Sequence, residues 1–140
     1  MRPIQKKQKG LSELPLFRSF ILFLKDLYSV LKNIDKDLKI TYGYELLRDT
    51  KKAISAIRKS YRITKPVGKL EQCNIAFDLV DDIELTLKIF FELGVIASKQ
   101  TAKLSIKIAD VKTQLEGWKI SLEKRAASES NNKTGDEPMD

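Results

Sequence analysis

Six cations fall within one fifteen-residue stretch: Arg48, Lys51, Lys52, Arg58, Lys59 and Arg62. Their spacing gathers them on one side of a helix. With Leu47 as zero and about 100° per residue, they span roughly 20° to 140°. Guanidinium and ammonium groups held in such a band suit a row of phosphates. Lys99, Lys103 and Lys107 form a second ladder at four-residue spacing. Like charges so arranged cost a helix a few tenths of a kcal/mol per pair, which an anionic partner would relieve. Either stripe alone also fits an ordinary solubilising surface. Two stripes and a basic start (Arg2, Lys6, Lys7, Lys9) favour phosphate binding. Aromatics near them are few, Tyr42, Tyr44 and Tyr61, which favours backbone contact over base readout.

Bond-making chemistry has little to work with. The chain contains no His, so the commonest general base and transition-metal ligand are missing. Cys73 stands alone and its nearest charged neighbour is Glu71, so nothing local lowers its thiol pKa. Asp78, Asp81, Asp82 and Glu84 cluster, but three of them face away from the apolar side of their helix, as a solvated acidic face does. Gly43, Gly68 and Gly94 are isolated and form no phosphate-cradling loop. No catalytic residue, cofactor site or metal site is assigned, and the chain reads as a non-enzyme.

Four amphipathic helices position the cations, at about 14–33, 42–64, 69–93 and 98–126. The first has Leu14, Phe17, Ile21, Leu24, Tyr28 and Leu31 as its seam, widened by Phe20 and Leu27. A loop over Asn33–Lys39 follows. The second starts at Thr41 as N-cap, with the seam Leu47, Thr50, Ile54, Ile57 and Tyr61, flanked by Leu46 and Ala53. Pro66 closes it. The third buries Ala76, Leu79, Val80, Ile83, Leu87 and Phe90, and Gly94 stops it. The fourth, capped by Ser98, repeats Thr101, Leu104, Ile108, Val111, Leu115, Trp118 and Leu122. Trp118 is therefore a core residue. Short connections make an all-α, up-down-up-down four-helix bundle over residues 11–126. A flexible basic arm (1–10) precedes it and a disordered acidic tail (127–140) follows.

The 140 residues carry 26 Lys+Arg against 19 Asp+Glu. The net +7 is the remainder of +10 over residues 1–126 and −3 beyond. The third helix is acidic between basic neighbours. Charges interrupt the most apolar stretch, Leu14 to Leu31, well short of the roughly 20 apolar residues of a membrane span. Arg18 likewise spoils a signal-peptide reading. A cytoplasmic location without membrane attachment is expected.

The motifs and their order resemble the accessory variability determinant family of diversity-generating retroelements. Leu14-Pro15-Leu16-Phe17 opens helix one. Ile40-Thr41-Tyr42-Gly43-Tyr44-Glu45 leads into helix two. Lys69-Leu70-Glu71 with Asn74 opens helix three. Glu92-Leu93-Gly94-Val95-Ile96 with Ser98-Lys99-Gln100 links it to helix four, which carries Gly117-Trp118 near its close. The likeness runs over about residues 14–122. It implies a non-catalytic bundle assembled as a homopentamer. Such an assembly binds RNA or DNA through basic surfaces and associates with the retroelement's reverse transcriptase during mutagenic cDNA synthesis. The family tends to carry arginines along helix three. Here Glu84 stands where one is expected and only Lys88 keeps a cation, which moves the expected surface to helices two and four. Proteins encoded in intervening sequences of 23S ribosomal RNA genes share size, fold and basicity. A purely structural oligomeric adaptor would use the same charges without nucleic acid.

Overall fold

The structure is a computed structural model describing residues 10–136, with side chains through residue 130. Most of the basic arm (residues 1–9) and the last four residues of the acidic tail lie outside the described residues.

Proline sets two of the helix starts. Leu14 is extended and Pro15 occupies the first position of α1 (Pro15–Leu31). Lys65 is likewise extended before Pro66, which opens α3 (Pro66–Glu92). Pro66 thus ends one helix and begins the next, three residues before the expected start at Lys69. Between α1 and α2 (Tyr44–Arg62) the expected loop is largely helical. One α turn (Lys36–Leu38) leads into a π-helical segment (Lys39–Gly43) continuous with α2. Thr41 is therefore not an N-cap; its Oγ1 donates to the Asp37 carbonyl at 2.7 Å, within this lead-in. The helix α4 (Ser98–Asp136) starts at Ser98 and runs ten residues past the expected end at 126. Nothing in Ala127–Lys133 breaks a helix, and Gly135 and Pro138 come later. Gly94 stops α3 as expected. Its φ of +69° permits paired bonds from Gly94 N to Phe91 O and from Val95 N to Phe90 O.

The described residues form no strand. α3 packs between α2 and α4, and α1 lies mainly on α4. α1 and α2 touch only sparsely, and α2 and α4 are not packing partners. α1 and α4 run antiparallel. Ser19 meets Asp110 and Gln114, while Asp26 meets Lys103 and Lys107. α2 and α3 are latched at their junction: Ser60 Oγ donates to Lys69 O (2.8 Å) and Lys69 Nζ donates to Ser60 O (3.0 Å).

The core seams of α3 and α4 fall where expected, with Leu79, Thr101 and Trp118 only half-buried. The α1 seam does not. Leu16, Phe20, Phe23, Leu27, Val30 and Leu31 are buried, whereas Phe17, Ile21 and Leu24 are half-buried and Tyr28 is exposed. The helix is turned by about one residue, roughly 100°. α2 is turned too: Leu46, Thr50, Ala53, Ala56, Ile57 and Ser60 are buried, while Leu47, Ile54 and Tyr61 sit on a flank.

Candidate nucleic-acid interface

The turn of α2 decides how its cations are presented. On the Leu47 scale its buried seam centres near −100°, so the band from roughly 20° to 140° points almost directly outward. Arg48, Lys51, Lys52, Arg58, Lys59 and Arg62 are all exposed. Among the described residues, none forms an ion pair with a carboxylate. The expected seam, Leu47 to Tyr61, lies at roughly −80° to 0° on the same scale and would have left the cations flanking the core; the observed turn opens them further.

The ladder on α4 is spent differently. Lys107 Nζ lies 2.9 Å from Asp26 Oδ2, and Lys103 Nζ lies 3.5 Å from Asp26 Oδ1. Burial alone would raise the Asp26 pKa. Hydrogen bonding and charge from Lys107 and Lys103 outweigh it and hold the carboxyl below its usual value. Of the three, only Lys99 keeps an exposed ammonium with no ion pair among the described residues. Because α2 and α4 are not packing partners, the structure does not join the two expected stripes into one surface.

A third row completes the α2 surface instead. Arg18 and Lys25 of α1 and Lys32 at its C-cap lie at seven-residue spacing and are all exposed. They border the flank on which Phe17, Ile21, Leu24 and Tyr28 turn towards α2. Across from them stand Leu47 and Ile54, with Lys51 and Arg58 beyond. By helical register, the line along which α1 meets α2 is an apolar groove with cationic rims, and cavities open at its two ends. One, of about 210 Å³, is walled by Tyr28, Lys32, Lys39 and Tyr44 over Leu31 and Leu47. The other, of about 290 Å³, lies among Leu14, Pro15, Tyr61 and Trp118. The α1 row was missed in the sequence, although its heptad spacing marks the solvent side of the helix.

The opposite edge of α2 meets acid. Lys52 and Lys59 share a surface cleft with Asp78 and Asp82 of α3. Farther round, Lys112 of α4 lies 2.8 Å from both Asp81 and Glu84. Hydrogen bonds from these two carboxylates hold the Lys112 pKa above the usual lysine value. Glu84, where an arginine was expected, thus has a partner inside the chain. The cationic field of α2 is opposed on its α3 side and unopposed on its α1 side.

Cys73 is buried, and burial pushes its thiol up to about 11, so little thiolate exists near neutral pH. Among the described residues, no three His, Cys, Asp or Glu side chains are gathered to hold a metal ion. No described helix is long and apolar enough to cross a membrane. Comparison with protein-family models and with curated proteins found no match.

Proposed function

We propose that this protein is a non-catalytic nucleic-acid-binding accessory protein of a diversity-generating retroelement. In this reading it is an up-down-up-down four-helix bundle that forms a homo-oligomer, a pentamer by the resemblance. It works in the cytoplasm with the retroelement's reverse transcriptase. The observation that carries the binding half is the open cation surface. Six exposed side chains on α2 form no ion pair among the described residues, and Lys51 and Arg58 among them face Arg18, Lys25 and Lys32 across the groove. Holding so many like charges together costs stability in isolation and is repaid when phosphates release their counterions. The retroelement half rests on the five ordered motifs.

A second reading, the structural adaptor, has its own support. The outward side of α3 interleaves exposed Ile75, Leu85 and Ile89 with Glu71, Asp78 and Asp82. Such a face complements the basic groove of a second copy, and a head-to-tail contact of this kind closes a ring. An intervening-sequence protein of 23S ribosomal RNA genes is the related alternative.

Fluorescence anisotropy with mixed-sequence RNA and DNA at about 50 and 200 mM salt tests the proposal, since phosphate-driven binding must weaken steeply between them. Absence of binding at the lower salt overturns it. Reversing Lys51, Lys52, Arg58 and Lys59 to Glu is expected to abolish binding with helicity intact. Dissociation of that variant to monomers on a sizing column would favour the adaptor. A neighbouring reverse transcriptase gene with a template/variable repeat pair would support the retroelement role. A position inside a ribosomal RNA gene would favour the alternative family.

A further inference from the structure

The cavity at the lead-in end of the groove is built by an irregularity in the backbone. Tyr44 N–H bonds to Lys39 O, five residues back, as in a π turn. In a regular α-helix residues five apart stand about 140° apart. The wider turn brings Lys39 and Tyr44 to the same side, facing the end of α1. Close approach there depends on Gly43, where a Cβ would lie 3.3 Å from Leu31 Cδ2. Tyr28 and Lys32, one turn apart on α1, form the facing wall.

The walls are chemically unusual for a protein surface. Tyr28 and Tyr44 are each 57% exposed, so neither ring serves the core. Lys32 Nζ sits 4.7 Å from the Tyr28 ring centroid, and the Tyr44 side chain makes no hydrogen bond or ring contact within the described residues. Lys39 and Lys32 are free of carboxylate partners there. At about 210 Å³ the cavity is smaller than the roughly 300–1,000 Å³ of sites for drug-sized ligands. It offers two aromatic faces, an apolar floor and two ammonium groups. π-helical turns are frequent at functional sites.

We propose that this cavity takes one unstacked nucleobase of a single-stranded nucleic acid. The base packs against both Tyr28 and Tyr44, and Lys32 and Lys39 meet the adjoining phosphates. The inference rests on the nucleic-acid reading and adds to it a preference for single strands, because a duplex keeps its bases stacked inside. The cations of α1 and α2 then track the backbone on either side of the inserted base.

The test uses the full chain and three fluorescent probes of about 12 nucleotides: oligouridine, its abasic counterpart with equal phosphate charge, and a duplex. Oligouridine is expected to bind about tenfold or more tighter than the abasic strand. Tyr28→Ala and Tyr44→Ala each remove most of that difference, Tyr28→Phe and Tyr44→Phe keep it, and circular dichroism checks the fold. The salt dependence of duplex binding stays unchanged in all four variants. Equal binding of oligouridine and the abasic strand by the wild type overturns the base pocket and leaves the phosphate surface standing. Failure of every probe to bind at low salt overturns the nucleic-acid reading itself. Alanine variants that keep base preference but change subunit number overturn the pocket in favour of a subunit contact.

Discussion

Lys107 of α4 and Asp26 of α1 form an ion pair at 2.9 Å, with about 30% and 15% of their side chains exposed. The pair fastens the two helices and withdraws Lys107 from the exterior. Asp26 is held below its usual pKa, so its contribution is present above roughly pH 4, the unfolded carboxylate value, and fades as pH falls through the lower folded value. Asp26→Asn is expected to cost about 1 kcal/mol at pH 7 and progressively less below pH 4. Urea denaturation across that range reads the difference; a constant penalty would refute the assignment.

The α1 row predicts where charge reversal matters. Arg18→Glu with Lys25→Glu is expected to weaken nucleic-acid binding and to flatten its salt dependence, by about 0.9 in logarithmic slope for each phosphate no longer neutralised. Lys99→Glu, on α4 one turn before the Lys103 that pairs with Asp26, is expected to change less. Anisotropy titrations at several salt concentrations make the comparison. The reverse ranking would put the interface on α4.

Gly94 ends α3 at φ +69°. Gly94→Ala is expected to lower stability by about 1–2 kcal/mol, the cost of a Cβ in left-handed backbone, and Gly94→Asn by less. No atom lies within 4 Å of the added Cβ, so the cost is conformational rather than steric. Thermal melts of the two variants provide the ranking.

Gly68 reverses the usual propensity argument. Alanine in place of a helical glycine normally gains up to about 1 kcal/mol. Here the added Cβ would lie 2.8 Å from Ile63 Cγ2, on a stiff β-branched side chain. Gly68→Ala is expected to be destabilising in the wild type and stabilising in an Ile63→Ala background. A double-mutant cycle by denaturant unfolding shows whether the sign changes.

The legible parts of the fold were the most regular apolar seams. α3 and α4 carry them, and Val80, Ile83, Leu87, Leu104, Ile108, Val111 and Leu115 are buried as expected, although Ile75, Ile89 and Ile106 on the same helices are exposed. α1 carries two apolar stripes, one through Phe17, Ile21, Leu24 and Tyr28 and the other through Leu16, Phe20, Phe23 and Leu27. Periodicity alone cannot choose between them. The position opposite Arg18, Lys25 and Lys32 does choose, because charged side chains mark the wet side. The exposed cations of α2 were legible for the same reason. The fate of Lys103 and Lys107 was not, since it depends on Asp26 more than seventy residues away. Nor was the π turn, whose residues read as the start of an ordinary helix.

The acidic row of α3 has a further consequence, in kinetics. With cations facing outward from α1 and α2 and carboxylates on the next face, these three helices carry a transverse electric dipole. A polyanion would turn it during approach, so that collisions arrive groove first and the α3 face is left free behind. Orientation of this kind raises the association rate at low ionic strength and is lost as salt shortens the reach of the field. In the proposed reading the carboxylates of α3 would then act as the rudder for the cations of α1 and α2.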